Sequence, residues 1–102
     1  MNAMEAVEAL KGLASEQRLK VVRFLVRAGN EGAPAGEVAS ALGIAPSKLS
    51  FHLSALEKAG LVQGRKSSRQ VIYQVRFDAI GALVAYLLHD CCVSDTRVTS
   101  CC

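Results

Sequence analysis

The sequence lacks the features that would place the protein in a membrane or send it across one. It contains no uninterrupted apolar run approaching the roughly 20 residues that a membrane span needs. Its start, Met-Asn-Ala-Met-Glu, has neither the basic flank nor the apolar stretch of a signal peptide. With 102 residues, there is also little room for a second packed core. We therefore expect one globular domain in the cytoplasm, with no membrane partner, and the 51% hydrophobic and 21% charged residues agree with this.

A large excess of charge is also missing, because the formal net charge is only +3 and a histone-like composition is excluded. The distribution is more informative than the total. Residues 61–77 hold four basic residues and no acidic one, namely Arg65, Lys66, Arg69 and Arg76. Such a segment is typical of a surface that contacts an anionic partner. The alternative is an edge hairpin that its charges keep soluble.

Apolar spacing predicts three helices in the first half of the chain. The stripe Met4, Val7, Leu10 and Leu13 indicates a short amphipathic helix over Ala3–Leu13, which Gly12 should weaken near its end. A second helix should run from about Glu16 to Ala28, with Ser15 as its N-cap. A third, of about two turns, should cover Glu37–Leu42.

The second half of the chain predicts a helix, a hairpin and a final helix. Pro46 begins the fourth helix, and Leu49, Leu53 and Leu56 form its apolar stripe before Gly60 ends it. Residues 61–62 and 71–75 are β-rich, and residues 63–70 should form the basic loop of a hairpin. Asp78 should cap a last helix with an apolar face from Ile80 to Leu88, and residues 93–102 should form a flexible tail.

Two helices joined by a short turn and followed by a basic hairpin are typical of a winged helix-turn-helix, whose second helix can lie in the major groove of DNA. His52 has alternative roles as a core histidine or a metal ligand, but no second His or Cys lies three to five residues away. For the polar residues next to His52 on the fourth helix, the alternative to DNA binding is a helix face that is simply exposed to solvent. The candidate DNA-binding residues are Ser47, Lys48, Ser50, Phe51, His52 and Ser54 on the fourth helix and Arg65, Lys66 and Arg69 on the hairpin.

Two segments resemble a known family. Residues 13–19 are similar to its L-x-x-x-x-R-L opening, and residues 47–62 to the S-x-L-S-x-H-L-x-x-L-x-x-A-G-L-V block of the ArsR/SmtB metalloregulatory repressors. The resemblance covers nearly all of residues 5–90. It implies a mainly α fold with a small β-hairpin: four helices, two strands and a fifth helix. It also implies a homodimer, paired through its first and last helices, that represses transcription until an inducer binds.

The residues support a dimer independently of the resemblance. The last predicted helix, Ile80 to Leu88, offers more apolar surface than a short helix and a hairpin can cover. Gly81, Ala82 and Ala85 would allow a close approach of two helix axes. The alternative is that this helix completes the core of a monomer.

Cysteine is absent before position 91. Two inducer sites that are familiar in the family are incomplete in this sequence. The third helix has no cysteine for the thiolate site of arsenic and cadmium sensors, and Ile80 stands where a zinc-type pattern would have histidine. What remains are two adjacent pairs, which we expect to be reduced thiols in the cytosol. The candidate metal ligands are Cys91, Cys92, Cys101 and Cys102.

Adjacent cysteines bridge each other only with strain, so a vicinal pair is better suited to chelating an external soft atom. Trivalent arsenic or antimony takes three thiolates, or two when it carries a carbon group. We therefore expect such an arsenical or antimonial as inducer, and no permanent cofactor. A soft divalent metal, a zinc site of four thiolates, a redox-active tail, an adventitious cluster and a metallochaperone that does not read DNA stay as alternatives.

A thiol oxidoreductase or arsenic reductase would need an anion-cradling loop or a Cys-x-x-Cys at a helix start. The sequence provides neither, so an enzyme is not expected. The expected protein is a homodimeric repressor that binds double-stranded operator DNA with an inverted repeat. Residues 1–92 should form its DNA-binding and dimerisation domain, and residues 93–102 its cysteine-bearing tail.

Overall fold

A computed structural model describes residues 1–89 and Arg97. Within this part, five α-helices and three short strands surround one core, in an order that confirms the winged helix-turn-helix fold. None of these helices is both long and apolar enough to cross a membrane. In chain order the elements are α1 (Ala3–Leu13), α2 (Glu16–Ala28), β1 (Ala33–Pro34), α3 (Ala35–Leu42), α4 (Pro46–Lys58), β2 (Val62–Ser67), β3 (Gln70–Val75) and α5 (Phe77–Leu88).

The first two helices begin at side chains that satisfy free backbone amides. The Ser15 hydroxyl accepts a hydrogen bond from the amide of Arg18 at 3.3 Å, which confirms Ser15 as the N-cap of α2. At α1, Asn2 and Glu5 form a capping box, with bonds of 2.8 Å and 2.9 Å between side chains and backbone amides. Both helices therefore have the bounds that local capping and apolar spacing predict.

The hairpin, here called the wing (residues 62–75), differs from the prediction. Residues 63–70 do not form a long loop, because β2 and β3 pair without a break from Val62 opposite Val75 to Ser67 opposite Gln70. A two-residue turn joins them, and Ser68 adopts a positive φ of 58° there. Polar residues are weak strand formers by propensity, but the paired backbone of an exposed ribbon accepts them.

A third strand was not predicted. β1 pairs antiparallel with β3 and places Ala33 opposite Tyr73, so the strand order in the sheet is β1-β3-β2. Gly32, just before it, has a φ of 70°, and a Cβ there would overlap the carbonyl oxygen of Tyr73. The chain between α2 and α3 is therefore fastened to the base of the wing.

Two helix starts also differ from the prediction. α3 begins at Ala35, two residues before the predicted Glu37, directly after β1. Asp78 does not cap α5, because the N-cap is Arg76, and Asp78 lies in the first turn. The Arg76 guanidinium binds the Asp78 carboxylate at 3.1 Å, an ion pair between exposed side chains. Asp78 thus neutralises one of the four cations of residues 61–77.

The core forms between α2, α3, α4 and the sheet, and leucine dominates it. The fully buried residues of α1 are all small, namely Ala6, Ala9 and Gly12, and among its large side chains Leu13 packs partly buried against the core while Met4, Val7 and Leu10 are exposed. A Cβ at Gly12 would lie 2.6 Å from the Cβ of Ala59, so glycine allows α1 to cross the end of α4 closely. The largest fully buried side chains are Leu25, Leu49, Leu53, Leu56, Leu61, Val21, Val38, Val62 and Val75.

Candidate nucleic-acid interface

The helix α4 divides into a buried and an exposed face. Leu49, Leu53 and Leu56 are almost completely buried, as their spacing predicts. α4 packs on α1, α2, α3 and β2, and its remaining side is open to solvent. Of the candidate DNA-binding residues on α4, His52 is half-buried and the others are exposed: Ser47, Lys48, Ser50, Phe51 and Ser54.

His52 is held by the beginning of α2, and both of its ring nitrogens have partners. Arg18 Nε donates to Nδ1 at 3.2 Å, so Nδ1 is the acceptor and carries no proton. The proton is then on Nε2, which donates to the Gln17 side-chain oxygen at 2.9 Å. Sequence reasoning missed Gln17 and Arg18 as part of this surface, although Arg18 lies in the family's opening motif. These bonds orient His52 and fasten α4 to α2.

The environment of His52 favours the neutral ring. Burial lowers the pKa of His52 below its ordinary value of 6.5, and the positive charges of Arg18 and Lys48 lower this pKa further. At neutral pH the ring is therefore uncharged and can keep accepting the hydrogen bond from Arg18. The role of a metal ligand gains no support here, because both nitrogens already have protein partners.

Phe51 is the one large hydrophobic side chain of α4 that is exposed, with 67% of its surface accessible. Its ring meets the His52 ring edge to face, at 5.9 Å between centroids and 67° between planes. The guanidinium carbon of Arg18 lies 5.7 Å from the Phe51 ring centroid. A shallow depression in this surface is lined by Gln17, Ser47, Lys48, Phe51 and His52.

The wing carries the exposed cations that the sequence predicts, but two of them lie on a strand and not at a loop tip. Arg65 and Lys66 belong to β2, and Arg69 lies in the turn. None of the three forms an ion pair within the residues that the structure describes. Arg65 donates from Nη2 to the carbonyl oxygen of Glu31 at 2.9 Å, which keeps its charge while fixing its direction. These cations are available to an anionic ligand.

The outer surfaces of α1 and α5, called here the α1–α5 face, carry several exposed apolar side chains. Met4, Val7 and Leu10 of α1 are exposed, Met4 by 80%. On α5, Val84 and Leu87 are exposed, Leu87 by 52%. The two helices are neighbours, and the depression between them is lined by Met4, Ala79 and Ala82 together with charged side chains that include Glu5 and Glu8. Single exposed hydrophobic residues are common on proteins, but a surface shared by two helices is typical of a protein interface.

The candidate metal ligands Cys91, Cys92, Cys101 and Cys102 lie outside the described residues. In residues 1–89 and Arg97, no group of three or more His, Cys, Asp and Glu side chains is arranged to hold a metal ion. The predicted tail, residues 93–102, lies outside them as well, except for Arg97.

An exposed helix beside a cationic wing, both on a helix-turn-helix core, defines a winged-helix protein of the DNA-binding class. A family described as a helix-turn-helix domain matches residues 13–65, just over half of the chain. The chain is 38% identical over 88 residues to the transcriptional activator HlyU of Vibrio cholerae, covering 86% of this chain and 78% of that protein. It is 39% identical over 84 residues to a putative arsenical resistance operon repressor, ArsR, of Halobacterium salinarum, covering 81% and 64%.

Solved structures agree with the fold. An ArsR-like transcriptional regulator from Rhodococcus sp. RHA1 superposes with a TM-score of 0.77 at 23% identity, covering 95% of this chain and 89% of that one. The homodimeric winged helix-turn-helix DNA-binding domain of a possible ArsR-family regulator from Mycobacterium bovis gives 0.70 at 20% identity, covering 90% and 83%.

The chain belongs to the ArsR/SmtB family of winged-helix transcriptional regulators. It is a DNA-binding regulator of transcription. The expectation that it is not an enzyme is confirmed, because the matched relatives are named as regulators.

Proposed function

We propose that this protein is a cytoplasmic homodimeric repressor that binds an inverted-repeat operator and releases it when trivalent arsenic or antimony binds its C-terminal cysteines. The observation that carries the DNA-binding part is the exposed, mostly polar face of α4 beside three wing cations that have no acidic partner among residues 1–89 and Arg97. α4 would enter the major groove, and Arg65, Lys66 and Arg69 would contact the minor groove or the phosphates.

The α1–α5 face supports the homodimer. Met4, Val7, Val84 and Leu87 expose apolar surface that a second copy of the same face would bury. A twofold pair of this kind is self-complementary and presents two copies of α4 to DNA with opposite orientations. The half-sites of the operator would then form an inverted repeat. The Mycobacterium bovis neighbour, which is named as homodimeric, is consistent with this assembly.

The position of the first cysteine pair in the sequence supports the switch. Cys91 and Cys92 follow soon after Leu88, the last residue of α5, and α5 contributes to the proposed dimer interface. An inducer releases DNA only through its different affinity for two shapes of the dimer. Coordination near the end of an interface helix could supply the roughly 1–3 kcal/mol that is typical of such coupling.

The test of the switch measures operator binding by fluorescence anisotropy, with and without arsenite or a methylated trivalent arsenical. The probe is a duplex from the promoter of the protein's own operon. Wild type should release it, whereas Cys91→Ser and Cys92→Ser should bind it normally and no longer respond. Substituting Cys101 and Cys102 together should abolish the response to arsenite before the response to the methylated compound.

Two outcomes would overturn this assignment. Full arsenite response in a Cys91→Ser, Cys92→Ser double variant would remove the cysteines from the site. Loss of operator binding in the single variants without inducer would show that these cysteines serve folding instead. Parallel titrations with cadmium and with a thiol oxidant decide between metalloid sensing and the alternatives of a soft divalent metal or thiol redox state.

A second candidate function is activation of transcription. It is favoured by the similarity to HlyU, which is named as an activator and is 38% identical over 86% of this chain. Whether the protein represses or activates is measured with a reporter fused to the bound promoter, in cells with and without the gene for this protein. Higher reporter expression without the protein supports repression, and lower expression supports activation.

A further inference from the structure

Phe51 occupies the position on α4 that points away from the core. At 3.6 residues per turn, Phe51 lies about 200° around the helix from Leu49, roughly opposite the buried stripe. A hydrophobic side chain with 67% of its surface exposed is unexpected there, because the exposed neighbours Ser47, Lys48 and Ser54 are polar. If α4 lies in a groove, Phe51 is therefore among the side chains nearest to the base edges.

The Phe51 ring is held in place although it is exposed. Arg18 lies 5.7 Å from its centroid, and the His52 ring meets it edge to face at 5.9 Å. Arg18 is itself fixed, because its Nε binds His52 and its amide binds Ser15. A ring that is oriented before binding loses little conformational freedom when it makes a contact.

The charges around the ring favour a polyanion as its partner. Arg18 lies over the Phe51 ring, Lys48 lines the same depression as Phe51, and Lys48 is not ion-paired within the part of the chain that the structure describes. A second copy of the chain would instead be expected on the α1–α5 face, because both of those helices expose large apolar side chains.

We infer that Phe51 reads the C5-methyl group of a thymine in the major groove, and so determines sequence specificity at one base pair of each half-site. This rests on the proposed binding of α4 in the groove. The thymine methyl is the apolar group of the unmodified base pairs in that groove, and a phenyl ring can contact it without leaving a polar group unpaired. Cytosine at the same position offers no methyl group, so the contact separates a T·A from a C·G pair.

The experiment removes the methyl group and the ring separately and together. A duplex is first selected from a random-sequence DNA library with the full-length protein. Each thymine of one half-site is then replaced in turn by deoxyuridine, which lacks only the methyl group. Binding of each duplex is measured for wild type, Phe51→Ala and a control, Val26→Ala, which also removes exposed apolar surface but lies in the last turn of α2.

One deoxyuridine substitution should weaken wild type and Val26→Ala about fourfold, which is about 0.8 kcal/mol for one methyl group, and should leave Phe51→Ala unchanged. Phe51→Leu should keep part of the effect, since leucine can still contact a methyl group. If every deoxyuridine duplex affects wild type and Phe51→Ala equally, the assignment of Phe51 is wrong while operator recognition stands. If no sequence is selected from the library, both the assignment and the proposed operator recognition fail.

If instead Phe51→Ala changes the oligomeric state in size-exclusion chromatography with light scattering, the ring serves an interface between copies of the chain. That result would overturn the inference. An unchanged oligomeric state, together with an affinity that no longer depends on the methyl group, supports it.

Discussion

α1 and α4 each pack one face on the core, but they sort their side chains in opposite ways. α4 buries large leucines and exposes mostly serine and lysine, the usual pattern of a helix at a protein surface. α1 buries alanines and Gly12 and exposes Met4, Val7 and Leu10. Small residues inside and large apolar residues outside indicate that the folded monomer does not complete the environment of α1. The exposed face of α4 is therefore suited to a polyanion such as DNA, and the exposed face of α1 to a second copy of the chain.

The largest effect is expected from charging the apolar surface. Val84→Asp combined with Leu87→Asp should give a folded monomer, because carboxylates in a buried interface lose their hydration. Operator affinity should fall by about 100-fold or more, since the two half-sites are then bound independently. Light scattering and fluorescence anisotropy measure the two effects. Val26→Asp, a matched change on α2, should stay dimeric, and a dimeric double variant would contradict the proposed interface.

The next largest effect concerns the charged surface. Changing Arg65, Lys66 and Arg69 to Ala should flatten the dependence of log affinity on log salt by up to about three units per wing, because each phosphate that a cation neutralises contributes about 0.9 to this slope. Titrations at several salt concentrations measure it. Lys11→Ala serves as control, because Lys11 lies on α1 and pairs with Glu8 at 3.6 Å. An unchanged slope in the triple variant would remove the wing from the DNA interface.

The packing between α1 and α4, the helices that carry the two surfaces, can be disrupted at Gly12, where α1 crosses the end of α4. Gly12→Ala should lower the free energy of unfolding by about 2 kcal/mol, because its Cβ would overlap that of Ala59. Adding Ala59→Gly should recover part of this loss. Gly36→Ala in α3, where nothing lies within 4 Å of the new Cβ, should be neutral or slightly stabilising in the same urea titrations. Equal effects at positions 12 and 36 would contradict the close crossing.

The smallest effect is the pH dependence of His52. Its folded-state pKa is lowered by burial and by Arg18 and Lys48, so the unfolded chain binds a proton more readily. The resulting stability is fully present above about pH 6.5 and decreases as the pH falls towards the folded-state pKa. His52→Asn should remove this part of the decrease in urea unfolding, since an amide does not titrate. If the free energy of unfolding depends on pH identically in the variant and the wild type, the predicted contribution of His52 is wrong.

Local signals in the sequence predicted the helices well. The bounds of α1 and α2 follow from apolar spacing and, for α2, from the Ser15 cap, and the buried stripe of α4 follows from Leu49, Leu53 and Leu56. Gly12 was interpreted only as a weak point of α1. Its role in the crossing with Ala59 depends on two segments that are distant in the chain, which a single-helix pattern does not contain.

Contacts between distant segments account for the other differences. The strand β1 has two residues and exists through its pairing with β3, and the wing strands extend through polar residues because each pairs with the other. Of the candidate interface, the sequence predicted the exposed residues of α4 and the wing cations. It did not predict that Arg18, 34 positions before His52, fixes that ring and lies near Phe51. Such a bond becomes visible only when α2 and α4 are packed.

The sheet order β1-β3-β2 has a consequence for polymerisation. One outer strand, β1, has two residues and ends in Pro34, which has no amide hydrogen for another strand. The other, β2, carries the exposed cations Arg65 and Lys66, which repel the same edge of another molecule. Neither edge is a good template for strand addition. Copies crowded onto a DNA molecule with several binding sites should therefore remain discrete particles and not grow into fibres.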